Sequence, residues 1–416
     1  MIKIPQRRIV VTGIGIISPL GHNLAEHWSA LKEGRSGIAR ITTVETAALR
    51  FHHGAEVHGF QPEKHFPDGQ IDFLDRFAQF ALVAARQAVA DSGLSFSGQA
   101  AERTAVITGC SGGGQSTEDA VFVALYAKNA NRVHPLSIPR VMASAAASHI
   151  SMELGILGPT YNVSTACSSA NHAIGQAFWL LRNNQADVAL AGGTEAPFSF
   201  GMLKAWEALR VVSPDTCRPF SKGRQGIVLG EGAAILVLEE KERAVQRGAR
   251  IYGEVTGFGM SSDARHLTAP GIEGPARAMK AALQDAGFHP EQIDYINAHG
   301  TGTAGNDPAE TMAIRQVFGP HAEKLAISST KSMHGHALGA AGALEAVATL
   351  MAMNEGIIPP TMNFLESDPE CDLDVVPNQA RKASLEYTLS NSFAFGGLNA
   401  VIAFQSGDKA RSCMPW

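Results

Sequence analysis

The 416-residue sequence predicts an α/β protein made of two duplicated halves. Three observations carry that prediction. Short segments recur in one order along the chain, as in an internal repeat. β-Branched runs alternate with alanine-rich stretches whose apolar positions fall at helical spacing, the pattern of stacked α and β layers. The composition, 45% hydrophobic and 18% charged, is that of an ordinary globular chain able to bury a large core.

Taken in order, the first element is Val11-Thr12-Gly13-Ile14-Gly15-Ile16, a strand-like run with glycines that returns as Val255-Thr256-Gly257-Phe258-Gly259-Met260. Its G-x-G invites a dinucleotide loop, but position 18 is Ser followed by Pro19, so the third glycine of that motif is missing. The glycines read instead as tight strand exits in two equivalent places. A helix over 73–92, closed by Gly93, is echoed by Lys280 to Ala286 closed by Gly287. Strands over Thr104 to Thr108 and Ile293 to Ala298 follow each. The first half is longer, with the extra length at about 110–162, a natural place for a cap, a tunnel wall or a dimer contact. A third pair matches Ser164-Thr165 and His172-Ala173-Ile174-Gly175 to Ser329-Thr330 and His336-Ala337-Leu338-Gly339. The helix over 335–354 is apolar nearly all round, so it belongs in the interior at the junction of the halves. The halves divide as 1–250 and 251–416.

Other classes are excluded by composition. A net charge of −5 and the absence of a Lys/Arg-rich block argue against nucleic-acid binding. Five cysteines, at 110, 167, 217, 371 and 413, are odd in number and lack C-x-x-C spacing, which argues against a disulfide framework and a zinc site. The opening Met1-Ile2-Lys3-Ile4-Pro5-Gln6 runs straight into a short strand, and no apolar run is long enough to span a bilayer. A cytoplasmic protein is expected.

The chemistry begins at Cys167, in Val163-Ser164-Thr165-Ala166-Cys167-Ser168-Ser169-Ala170, where a strand gives way to a helix. A helix N-terminus favours an anion, so the thiol is expected to be a thiolate nucleophile. His299 stands at a strand exit in Asn297-Ala298-His299-Gly300-Thr301-Gly302-Thr303, and His336 in the second-half counterpart of the Cys167 unit. Packing of the halves about a pseudo-two-fold axis brings equivalent strand exits together, so Cys167, His299 and His336 are expected to share a cleft. His334-x-His336 has no supporting carboxylate or cysteine, and no metal is expected.

These segments, with Lys331-Ser332-Met333-His334-Gly335-His336, Gly339-Ala340-Ala341-Gly342 and Asn391-Ser392-Phe393-Ala394-Phe395-Gly396-Gly397-Leu398-Asn399, resemble the four signature blocks of β-ketoacyl-acyl-carrier-protein synthases. The likeness covers essentially the whole chain and is nearest to the elongating type II enzymes, in the branch with nodulation-factor and other dedicated ketosynthases. It implies a thiolase-like five-layer αβαβα fold and a decarboxylative condensation. Cys167 takes an acyl group from a carrier thioester, with the backbone amides of Cys167 and Phe395 as oxyanion hole and Phe395 as gate. The two histidines hold the enolate oxygen left when malonyl-carrier loses carbon dioxide. Lys331 and Glu345 are expected to pair and orient them, since a lone charge in so apolar a helix is costly. Thr301 and Thr303 match hydroxyls that bind the phosphopantetheine arm, or serve as turn-stabilising threonines; Asp307 is a structural member of that loop.

No metal or redox cofactor is implied. The implied partners are an acyl carrier protein, either the housekeeping one or a dedicated one, and a second subunit, giving a homodimer or a heterodimer with a chain-length-factor-like chain. A CoA-dependent condensing enzyme of the same fold is the rival reading. Departures from the common pattern are His334 and Leu398, where the housekeeping enzymes carry threonine, and Ser111, where a bulky residue lines the acyl pocket. Glu207 stands in place of a carrier-facing basic residue and reads either as a mark of a dedicated carrier or as a solvated helix face. Arg132, Lys204, Arg210 and Lys222 are the candidate docking residues.

Overall fold

A computed structural model describes residues 7–67 and 69–407, so the opening hexapeptide and Cys413 lie outside the described residues. Ten strands form one mixed sheet: β1 (Ile9–Ile17), β2 (Thr104–Gly109), β3 (Thr160–Val163), β4 (Val188–Glu195), β5 (Gly232–Glu240), β6 (Gly253–Ser262), β7 (Tyr295–Asn297), β8 (Ala326–Ser328), β9 (Tyr387–Ala394) and β10 (Leu398–Gln405). Their order is β8-β7-β9-β10-β6-β1-β5-β4-β2-β3, five strands from each half. The halves meet where β1 and β6 pair antiparallel, Ile9 opposite Val255 and Val11 opposite Gly253. Because Val11 repeats as Val255, exchanging the halves leaves this ladder unchanged, which is the register of a local two-fold axis.

Four helices complete the layers. Helix α1 (Arg76–Ser92) covers β1 and β5 on one outside, and α3 (Glu273–Ala286) covers β6 and β10 on the other. Helices α2 (Ser169–Arg182) and α4 (Ala341–Glu355) pack together between the half-sheets. The result is the five-layer αβαβα arrangement. Every residue of α4 from Ala341 to Met353 is buried, as expected of a helix with no polar face.

The repeated glycines have a different reason from the expected one. They lie inside β1 and β6, not at strand exits. A Cβ on Gly13 or Gly15 would stand 2.2 Å from Ala88 O or 1.8 Å from Ala84 O of α1; one on Gly257 or Gly259 would stand 2.5 Å from Ala282 O or 2.1 Å from Ala278 O of α3. The glycines let each outer helix lie on its strand, and Asp91 and Asp285 then take the Ile14 and Phe258 N–H groups at 2.9 and 3.0 Å. Gly93 and Gly287 end both helices in the left-handed region, φ 68° and 72°.

The third repeat pair needs a correction of register. A 3-10 turn, Ala166–Ser168, precedes α2 and another, Leu338–Ala340, precedes α4, each opening on a left-handed residue, φ 50° at Ala166 and 46° at Leu338. Cys167 therefore corresponds to Gly339, and His172 to Leu344 rather than to His336. The second half carries an extra helical turn, Lys331–His334, which shifts the match and delays α4 to Ala341. A Cβ on Gly339 would meet Glu195 Oε2 and Ser111 N, both at 2.5 Å, so the second half has no room for a nucleophile of its own.

The longer segment of the first half forms helices Gln115–Phe122, Ser137–Val141 and Ala145–Leu154. It exposes Phe122, Tyr126, Ile138 and Met142. Among the described residues no helix is long and apolar enough to cross a membrane.

Candidate active site

The ends of β3, β7 and β8 and the β9–β10 turn converge on one cleft of about 360 Å³, lined among others by Cys167, His299, His336, Thr301, Thr303 and Phe395. Sequence reasoning placed all six in one site, and the structure brings them together.

Cys167 sits in the 3-10 turn ahead of α2, 7% exposed. The turn is held by its own hydroxyls: Ser169 Oγ donates to Ala166 O at 2.7 Å, and Ser168 Oγ to Thr165 O at 2.8 Å. Burial pushes the thiol up to about 11, against the opposing pull of Lys331 and of the Phe395 and Cys167 amides, which point at the sulfur. Against the expected thiolate, the thiol stands above its ordinary pKa, because desolvation outweighs the pull of Lys331 and the two amides. The Phe395 and Cys167 amides thus both act on the sulfur.

His299 leaves β7 with its backbone fixed by Glu310, whose two oxygens accept the His299 and Gly300 N–H groups at 2.8 Å each. Lys331 Nζ donates to His299 O at 2.6 Å and lies 3.3 Å from Nδ1. An ammonium has only donors, so Nδ1 is the acceptor and the ring proton is assigned to Nε2. His336 is held by pairing with the Leu229 segment, its N–H donating to Val228 O at 2.7 Å. Its Nδ1 accepts the Leu338 N–H at 3.3 Å, so here too the proton falls on Nε2. The rings lie 5.4 Å apart at 83°. Burial, reinforced by the Lys331 charge, holds both imidazoles well below their ordinary pKa, so both are neutral donors.

Lys331 and Glu345 are both fully buried and form an ion pair, as expected from the apolar helix. Burial raises Glu345 to about 7 although Lys331 pulls the other way. Thr301 and Thr303 share a hydroxyl contact of 2.9 Å, and Asp307 accepts the Thr301 N–H and the Phe220 N–H at 3.1 and 2.7 Å. Phe395 is followed by Gly396 and Gly397 with φ 82° and 69°, and its ring stacks on Trp206 at 6.1 Å and 25°. Asp263 ties the neighbouring loop to this turn, its N–H donating to Gly397 O at 2.9 Å and its carboxylate accepting from Asn399 at 2.8 Å.

Other expected residues stand elsewhere. Ser111 does not line the cleft; its hydroxyl donates to buried Glu195 at 2.5 Å, a partner the sequence did not indicate. Glu207 lies at the surface of its helix, where its carboxylate accepts from the Arg50 N–H and from Lys204 at 2.5 Å each. Lys204 donates to Glu207 and to Ala48 O, and Lys222 to Glu366 at 2.7 Å, both lysines staying largely exposed. Arg132 and Arg210 are exposed. His334 directs both ring nitrogens to its own segment, so it is not placed to share an ion with His336. Glu310 was missed; its one legible mark is that it stands a helical turn after Asp307, on the same face of Asn306–Phe318, directly after a glycine-rich turn.

A buried thiol facing two amides, with two neutral imidazole donors in the same cleft, defines the site of an acyltransferase that condenses thioesters. The chain belongs to the β-ketoacyl synthase family, whose N-terminal domain matches residues 6–244 and whose C-terminal domain matches 252–365. It is 50% identical over 399 residues to nodulation protein E of Rhizobium sp. (strain N33), covering 96% of this chain and 99% of the relative. To 3-oxoacyl-[acyl-carrier-protein] synthase 2 of Staphylococcus aureus (strain N315) it is 41% identical over 406 residues, covering 96% and 98%. Among solved structures, the ishigamide ketosynthase/chain length factor superposes with a TM-score of 0.91 at 41% identity over 96% of this chain and 99% of that one. A type II polyketide ketosynthase in complex with its acyl-carrier protein and bound to the hexaketide gives 0.87 at 32% identity over 96% and 99%. The protein is a ketosynthase, an elongating acyltransferase of fatty acid or polyketide biosynthesis.

Proposed function

We propose that Cys167 carries the acyl chain and that His299 and His336 generate the nucleophile that extends it. Cys167 attacks the acyl thioester of a carrier protein; the Cys–S–acyl bond forms, the carrier C–S bond breaks, and the thiol proton ends on the departing carrier sulfur. The amides of Cys167 and Phe395 hold the oxyanion. Malonyl-carrier then enters along Thr301 and Thr303, which hydrogen-bond its phosphopantetheine arm. Loss of carbon dioxide leaves an enolate whose oxygen accepts from Nε2–H of both histidines. Its carbon attacks the acyl carbonyl, the C–S bond to Cys167 breaks, and the thiolate takes a proton from water. The product is a 3-oxoacyl chain two carbons longer.

The observation that carries this reading is the shared assignment of His299 and His336: each is buried, neutral and protonated at Nε2, because each Nδ1 already accepts a hydrogen bond. Two donors and no charged imidazole suit an oxygen that becomes negative only in the reaction. Lys331 acts by holding His299. No metal or redox cofactor has a step in this chemistry. The carrier protein docks by acid-to-base contacts at Arg210 and Arg132, with Lys204 and Lys222 already engaged by acidic side chains. The exposed Phe122, Tyr126 and Ile138 face is where a second subunit packs, a like chain or a chain-length-factor-like one. The compartment is the cytoplasm, in keeping with free cysteines at 110, 167, 217 and 371. The test is mass spectrometry of Cys167 after exposure to a panel of acyl-carriers, then malonyl-carrier. An acyl adduct that disappears as a 3-oxoacyl-carrier forms is expected; activity that survives Cys167→Ala would overturn the assignment.

A further inference from the structure

His334 does not line the cleft and has no part in the chemistry above, yet it is completely buried, two residues before His336. Its Nδ1 is 2.8 Å from Gly335 O and its Nε2 2.9 Å from Thr330 Oγ1. A carbonyl oxygen only accepts, so Nδ1 carries the proton and Nε2 accepts from the Thr330 hydroxyl. Thr330 immediately precedes Lys331, and Gly335 immediately precedes His336. The imidazole therefore joins the residue before one catalytic support to the residue before a catalytic donor.

We infer that His334 is a positioning residue that fixes the spacing between Lys331, and hence His299, and His336. The inference rests on the histidine roles proposed above. In this chain the turn has little else to brace it. Gly335 has φ 68° and ψ −175°, a conformation that favours glycine, and a Cβ there would stand 2.8 Å from Ala55 Cβ, so no side chain at 335 can brace it. The four-residue helix Lys331–His334 is too short to hold itself. The strut is backed by His27, whose ring lies 6.3 Å away at a tilt of 33° and whose Nδ1 is 2.7 Å from Ser18 Oγ. His27, Lys331 and His336 are the titratable groups acting on His334. Burial pushes His334 and His27 down to about 3, so the strut keeps one tautomer across the working range of pH.

Misplacing two donors by a fraction of an ångström affects only the step that uses both. In His334→Leu, which removes both hydrogen bonds, kcat for decarboxylation of malonyl-carrier should fall by about tenfold while the rate of Cys167 acylation and the KM for malonyl-carrier stay within about two-fold. His334→Gln, which keeps a donor and an acceptor, should recover most of the loss. Should His334→Leu not fold, His334→Asn, polar but too short to reach both partners, should show the same selective loss. Equal decline of acylation and decarboxylation, in step with a lower Tm, would leave a merely structural residue and sink the inference; so would wild-type kcat in the leucine variant. A wild-type protein that neither acylates Cys167 nor releases carbon dioxide would instead overturn the underlying function.

Discussion

Replacing Lys331 by methionine separates the two jobs of that ammonium, and the structure sets the size of the effect. Lys331 is the charged partner of Glu345, both fully buried. Glu345 rises from 4.5 to about 7 in the fold, burial being the cause and Lys331 the restraint. With a folded pKa above the unfolded one, the folded protein binds more protons between the two values, so this group's stability is present at low pH and is lost as pH rises. In the wild type that loss levels off only about one pH unit above a folded value of about 7. Without Lys331 the carboxyl is pushed higher still, and the loss continues. Each pKa unit corresponds to about 1.4 kcal/mol, so the stability gap between wild type and Lys331→Met should widen above pH 7, by up to about 1.4 kcal/mol per pH unit. Thermal melting at pH 6.5, 7.5 and 8.5 measures it. The double variant Lys331→Met/Glu345→Gln, with no charge left to bury, should lose the extra slope of Lys331→Met above pH 7. Its decarboxylation should remain impaired, since His299 has lost the donor to its Nδ1. A gap that is the same at all three pH values, or a double variant that keeps the extra slope, refutes this account of the buried pair.

Three further outcomes are expected. Iodoacetamide should alkylate Cys167 about tenfold faster per pH unit from 7 to 10, since the thiol ionises only near about 11; a plateau below pH 8 would point to a preformed thiolate. His299→Ala and His336→Ala should each cut carbon dioxide release by about 10²- to 10³-fold with Cys167 still acylated, and the wild-type rate should show no inflection near pH 6.5 because both rings are neutral well below it; an inflection there contradicts their assignment as neutral donors. Gly15→Ala places a methyl 1.8 Å from Ala84 O and should lower Tm or abolish soluble expression, whereas alanine at exposed Gly69, which has open space, is strained only by its φ of 83° and should cost about 1–2 kcal/mol.

Much of this was legible in the chain because local order is written in local spacing. The twin glycine-bearing runs at 11–16 and 255–260, the helix ends at Gly93 and Gly287 and the wholly apolar stretch of α4 announce two halves and an interior helix without reference to anything distant. A nucleophile at a strand-to-helix turn and histidines at strand exits are legible for the same reason: each motif's neighbours along the chain dictate where its side chain leaves the backbone. Tertiary structure decided whatever depends on groups far apart in sequence. The ionisation of Cys167 is set by how completely the two halves exclude water, which reverses the expectation from its helix. The match of Cys167 to Gly339 emerges only when an inserted turn is seen in place. Ser111 and Glu207 were read from linear position alone, which could not show their hydrogen-bond partners: Glu195, 84 residues away, and the Arg50 amide, 157 residues away. The protons of His299 and His336 are likewise fixed by Lys331 and by the Leu338 amide. Sequence determines which groups are present and how each leaves its strand or helix; solvent exclusion and hydrogen-bond partners, which belong to the packed fold, decide the charge and tautomer in which they act.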